Sequence, residues 1–161
     1  MYNSQELRRP TVLVADDSPQ NIELLSRVLG QDYRIKVATS GEKALTIAYS
    51  DEPPDLILLD IMMPDLSGYE VCRRIKANPD RRRIPIIFVT AMSTVEDESM
   101  GLSLGAVDYI TKPISPALVQ ARVRTHLALF DQAREFMCER SVGGGFRASG
   151  VVYSAGFLGG E

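Results

Sequence analysis

Three stretches, Thr11–Ala15 (TVLVA), Leu56–Leu59 (LILL) and Ile84–Val89 (IPIIFV), are almost uninterrupted in apolar residues yet far too short to cross a bilayer. Runs of this kind suit strands of a parallel sheet that is buried on both faces; a strand with one face in water alternates instead. Arg34–Ala38 (RIKVA) does alternate, as an edge strand with a wetter face would, and Ala106–Ile110 (AVDYI) is a short, mixed candidate for the opposite edge.

Helical patterns separate these runs. Ser18-Pro19 reads as N-cap and first helical residue, with Ile22, Leu25, Val28 and Leu29 as the apolar stripe. Ser40-Gly41-Glu42-Lys43 opens a second helix carrying Ala44, Leu45, Ile47 and Ala48, and Ser67 caps a third that ends near Asn78-Pro79. A fourth starts at Ser93 or Thr94 and stops by Gly105, and Ser115-Pro116 opens a fifth that the pattern carries to about residue 138. Strand and helix alternate five times, which predicts an α/β fold: a doubly wound, five-stranded parallel sheet with right-handed crossovers and helices on both faces. The last 23 residues hold seven of the twelve glycines without sustained periodicity, and are expected to form a flexible tail. The domain expectation is an N-terminal extension over 1–9, one domain over 10–130, and a helix extension with a glycine-rich tail over 131–161.

Composition removes several classes of function. Apolar residues make up 45% and charged residues 24% of 161 residues, an ordinary globular profile. A formal net charge of −3 offers no general attraction to nucleic acid or anionic membrane. Cys72 and Cys138 lack metal-ligand spacing and are expected as reduced thiols, the start of the chain lacks the apolar stretch of a signal peptide, and a cytoplasmic protein is the expectation.

In a doubly wound sheet, ligands bind beyond the carboxyl ends of the central strands. The first apolar run is followed by Asp16-Asp17, the third by Asp60, the fourth by Thr90 and the fifth by Thr111-Lys112-Pro113. The second is followed by uncharged Thr39-Ser40-Gly41, as suits a strand away from a site. Three carboxylates, a hydroxyl and an ammonium would then emerge on one rim. Clustered carboxylates repel unless a cation compensates, and Mg²⁺ accepts one or two of them with waters and phosphate oxygens. One carboxylate can attack phosphorus to give an aspartyl phosphate, while the metal and Lys112 neutralise charge on the transferred group and Thr90 donates to it.

Asp16-Asp17 after a strand, Asp60-Ile-Met-Met-Pro64, Thr90-Ala91 and Lys112-Pro113 together resemble the receiver domain of bacterial two-component response regulators, in order and spacing, over roughly residues 10–130. The resemblance implies a flavodoxin-like fold with strand order 2-1-3-4-5 and Asp60 as phosphoacceptor. It implies Mg²⁺ (or Mn²⁺) held by Asp17, Asp60 and the main-chain carbonyl of Met62, with Asp16 acting largely through water. It implies Thr90 and Lys112 as phosphate contacts, Tyr109 as the aromatic that follows Thr90, and a cis Lys112-Pro113 bond. Its partners would be a histidine kinase or phosphotransfer protein and a downstream protein, with homodimerisation through the fourth helix, fifth strand and fifth helix; no nucleic acid and no membrane is expected. Val119, Val123, Leu127 and Phe130 would permit pairing of the last helix. Two positions that vary in such domains, two residues after the acceptor and two after Thr90, are Met62 and Met92 here; neither orients a water, so a long-lived acyl phosphate is expected.

Each residue also has a plainer use. Asp16-Asp17 could cap a helix, Asp60 could open a turn, Thr90 could be a strand-end hydroxyl, Lys112 a surface lysine and Tyr109 amphipathic cover on an edge strand. His126 is expected to be a solvated or interface histidine and Arg81-Arg82-Arg83 a solvated connection. The first rival function, an aspartyl-phosphate phosphatase of the haloacid dehalogenase type, needs an acid two residues after the nucleophile, where Met62 stands. The second, a flavodoxin-like cofactor module, needs glycines or hydroxyls at the first strand–helix turn, where Asp16-Asp17 would repel a phosphate. The final helix, with Thr125-His126-Leu127 and Leu129-Phe130-Asp131-Gln132, is similar to linkers leading into cyclic-di-GMP enzymes.

Overall fold

A computed structural model describes residues 8–142, with side chains as far as residue 133. The glycine-rich segment expected as a tail, the start of the N-terminal extension and the side chain of Cys138 lie outside the described residues.

Five strands, β1 (Thr11–Ala15), β2 (Arg34–Ala38), β3 (Leu56–Leu59), β4 (Ile86–Thr90) and β5 (Asp108–Thr111), alternate with α1 (Pro19–Leu29), α2 (Gly41–Ala48), α3 (Gly68–Ala77), α4 (Val95–Ser103) and α5 (Pro116–Val142). All pairings are parallel, in the order β2-β1-β3-β4-β5. Side chains leave a strand alternately to its two sides, so each apolar run feeds two cores. Leu13, Ala15, Ile57, Leu59, Ile86 and Phe88 pack with α2 and α3 through Ala44, Val71 and Ile75. Val12, Val14, Leu56, Leu58, Ile87 and Val89 pack with α1 and α5 through Leu25, Leu29, Val119 and Val123. Val119, Val123 and Leu127 are therefore buried against the sheet, and the stripe they form is not free to pair two copies of the helix.

The caps sit where the sequence places them. Ser18, Ser40 and Ser67 accept from the backbone N–H three residues on, and Thr94 forms a capping box with Asp97. Two strands start later than expected. Pro85 has no N–H for the ladder, so β4 begins at Ile86, although the Pro85 carbonyl still accepts from Ile57 N at 3.0 Å. Ala106 N is turned back to the Gly101 carbonyl at the end of α4, and β5 begins at Asp108. Between them Gly105 adopts φ +104°, a conformation that glycine reaches without strain. The chain divides at Leu127: residues up to it form the compact unit that holds the sheet, and from Ala128 the fifth helix continues. Among the described residues no helix is long and apolar enough to cross a membrane.

Candidate functional site

Strand register assembles the rim. Ala15 pairs with Leu59, so Asp16 and Asp60 emerge side by side from β1 and β3; Thr90 pairs with Thr111, so Lys112 emerges beside Thr90. The backbone continues the ladder one step past each strand: Asp16 N donates to Ala38 O (3.0 Å), Asp60 N to Ala15 O (2.9 Å) and Lys112 N to Thr90 O (2.8 Å). The rim residues are thus held by main-chain bonds as well as by their own side chains. The Lys112–Pro113 peptide is cis, as expected.

The carboxylates converge. Ligand oxygens of Asp16, Asp17 and Asp60 all lie within 4.8 Å of one another, the one such acidic group among the described residues, with Asp16 and Asp60 buried and Asp17 exposed. Lys112 Nζ donates to Asp60 Oδ2 at 2.7 Å and to Asp16 Oδ2 at 2.8 Å. Burial disfavours the Lys112 charge, but the hydrogen bonds to Asp16 and Asp60 outweigh it, so its pKa stands above the ordinary lysine value. The ammonium is therefore kept through neutral pH, and its contribution to the bridge is lost as pH rises past the lysine range. The other oxygens are oriented too: Ser18 N donates to Asp16 Oδ1 (2.9 Å) and Met62 N to Asp60 Oδ1 (3.2 Å). Even with Lys112 in place the carboxylates carry an excess of negative charge. Three hard oxygen donors around one point, partly exposed through Asp17, fit a small divalent cation such as Mg²⁺ or Mn²⁺.

Thr90 is fully buried, and its Oγ1 accepts from Met92 N at 3.4 Å. The Met92 carbonyl in turn accepts from the Tyr109 hydroxyl at 2.6 Å, so the main chain of one residue, through its N–H on one side and its carbonyl on the other, joins the two hydroxyls that the resemblance links. Tyr109 is not surface cover: it is buried, its ring tilted against Phe88 at 6.0 Å between centroids, and burial together with nearby Tyr69 and Asp97 pushes its pKa far above that of free tyrosine. Met92 packs on the core, whereas Met62 stands 62% exposed beside the acids.

Some contacts had no sequence signal. His126 is half-buried, its Nε2 3.0 Å from Asp108 Oδ2, which also takes Arg122 Nη1 at 3.3 Å. Arg81 is not simply a solvated residue: its Nε donates to Ala48 O (2.9 Å) and its Nη2 to Ser50 O (3.2 Å), capping the end of α2, while Arg82 and Arg83 are exposed. Asp65 bonds the first two amides of α2. Cys72 is buried and free, and burial raises its thiol pKa to about 11, so the expected reduced thiol is also unreactive.

The structure is thus a doubly wound sheet with an acid cluster and a lysine at its carboxyl rim. The model of the response regulator receiver domain family matches residues 12–124, and the chain belongs to that family. It is 53% identical over 123 residues to a Vibrio cholerae protein named as a cyclic di-GMP phosphodiesterase, covering 76% of this chain and 28% of that protein. It is 39% identical over 145 residues to the response regulator PleD of Caulobacter vibrioides, covering 89% and 31%. The chain thus spans under a third of the length of these relatives. The BeF3-activated receiver domain of DrrB has 36% identity and a TM-score of 0.69 over 75% of this chain and 99% of that one. The signal receiver domain of a LuxO repressor protein from Vibrio parahaemolyticus has 28% identity and a TM-score of 0.75 over 80% and 98%.

Proposed function

We propose that this receiver domain takes a phosphoryl group on Asp60 from a phosphohistidine of a histidine kinase or phosphotransfer protein. The observation that supports it most is the pair of hydrogen bonds that Lys112 Nζ donates to Asp60 and Asp16 at the rim where the acids meet. One carboxylate oxygen of Asp60 attacks phosphorus, the O–P bond forms, and the P–N bond breaks with its electron pair leaving on the imidazole nitrogen. Lys112 balances charge on the transferred oxygens, and Thr90 donates to them once its hydroxyl turns from the Met92 amide. Asp17, Asp60 and the Met62 carbonyl, with Asp16 through water, would hold Mg²⁺ or Mn²⁺, which supplies positive charge at the equatorial oxygens. Thr90's movement frees the Met92 N–H, and along that residue's backbone the carbonyl that holds the hydroxyl of Tyr109, so that the face of α4, β5 and α5 changes for a downstream protein or a second copy. The name of the Vibrio cholerae relative supports cyclic-di-GMP turnover as the process regulated. Incubation with acetyl phosphate, followed by intact-mass spectrometry, is expected to give a singly phosphorylated chain with Mg²⁺ and none with excess chelator. Uptake that ignores the chelator contradicts the proposal.

Met62 and Met92 bear on how long the group lasts. Neither side chain can orient a water for attack on the acyl phosphate, and Met62 stands at the open side of the site. The double variant Met62→Asn, Met92→Glu is expected to lose the phosphoryl group about tenfold or more faster, as placing a general base or a water typically does. Decay of the purified phosphoprotein measures this, and an unchanged rate removes the methionines from the account.

A further inference from the structure

The loop between Asp60 and Gly68 carries the Met62 carbonyl, and its fixed points are visible. At its end, Gly68 N donates to Ile61 O at 2.8 Å, and a Cβ on Gly68 would run into the Asp60 carbonyl oxygen. In its middle, Asp65 reaches across to another helix. Asp65 Oδ1 accepts from Gly41 N at 3.0 Å and Oδ2 from Glu42 N at 2.9 Å, while Ser40 Oγ takes Lys43 N at 3.2 Å. The first amides of a helix have no partner inside it, and here a loop residue 24 positions away supplies two of them. The approach is close: a Cβ on Gly41 would lie 2.7 Å from both Cβ and O of Leu66, so glycine is required where the loop docks. The Glu42 N–H bond, against a weaker effect of burial, and the Gly41 N–H bond lower the Asp65 pKa, keeping the carboxylate ionised for both amides.

We infer that Asp65 is a positioning residue for the divalent-cation site: by fastening the loop to the start of α2 it holds the Met62 carbonyl in place for the metal. Its carboxylate bonds amides of α2 and not the side chains of the rim. The inference rests on the metal site proposed above, and the two fail differently. Groups that hold metal ligands in place typically contribute about 10–100-fold in affinity. Mn²⁺ titration of the chain, with free ion followed by electron paramagnetic resonance, is expected to show binding about tenfold weaker in Asp65→Ala. Asp65→Asn removes the same charge but keeps one acceptor for an α2 amide, and is expected to lie between the two. Thermal unfolding of each variant is measured alongside, because a merely structural role lowers Tm and leaves Mn²⁺ affinity unchanged. If the parent chain binds no Mn²⁺, the metal site itself is wrong. If the parent binds and both variants match it, Asp65 does not position the site. Equal weakening in the two variants also overturns the inference, because charge rather than loop placement then accounts for the loss.

Discussion

Asp60→Asn is expected to abolish uptake of phosphate from acetyl phosphate with Mg²⁺ while leaving the fold intact. The two parts of this result have separate causes. An amide oxygen or nitrogen is not a competent nucleophile towards phosphorus here, so the loss is complete rather than graded. Asparagine keeps the shape of aspartate and an acceptor for Met62 N, and the residue lies in a buried position where a change of volume would be felt. It also removes one of three crowded negative charges while Lys112 retains Asp16 at 2.8 Å. Unfolding temperature is therefore expected to stay near that of the parent or to rise. Intact-mass spectrometry and circular dichroism check the two halves, and a variant that still gains phosphate contradicts the assignment of the acceptor.

Lys112→Ala is expected to act on stability and chemistry together. Removing the ammonium leaves Asp16 and Asp60, with side chains only 3% and 6% exposed, facing each other without a cation. Stripping one partner from a buried ion pair costs about 3–5 kcal/mol; Lys112 is itself 17% exposed, so a loss near 3 kcal/mol is expected in chelator. Mg²⁺ binds the folded chain and returns part of this, so the rise in Tm on adding Mg²⁺ should be larger in the variant than in the parent. Phosphoryl uptake is expected to fall by about 10²–10³-fold, the usual effect of deleting one preorganised group that faces developing charge. Equal stability of variant and parent in chelator would mean that the bridge carries no weight.

The alternation of strand and helix and the residues of the rim were open to sequence reasoning because both follow from short-range pattern, whereas the strand order came from the family resemblance. Apolar runs such as LILL at 56–59 leave little choice but a strand buried on both faces, and a parallel sheet brings the residues after its strands to one edge. Serine-proline and serine-glycine pairs announced the helix starts for the same reason. What escaped is carried by single side chains crossing between elements. Nothing near Asp65 says that its carboxylate will meet the amides of residues 41 and 42, nor does the Arg81-Arg82-Arg83 run say that its first arginine alone will cap α2. Asp108, with Arg122 and His126, is likewise a pairing between β5 and α5 that only the packed structure brings together. Val119, Val123 and Leu127 have the spacing of a pairing stripe, and a stripe that covers the chain's own sheet has the same spacing.

Everything turns on Asp60 being the atom-bearing centre of a metal-dependent phosphoryl site. Borohydride reduction of the phosphorylated chain converts an aspartyl phosphate to homoserine and marks its position permanently. Peptide mapping by mass spectrometry is expected to find homoserine at position 60, in samples phosphorylated with Mg²⁺ and not in those held with chelator. Homoserine at Asp16, Asp17 or elsewhere, or at position 60 regardless of the metal, would contradict the account.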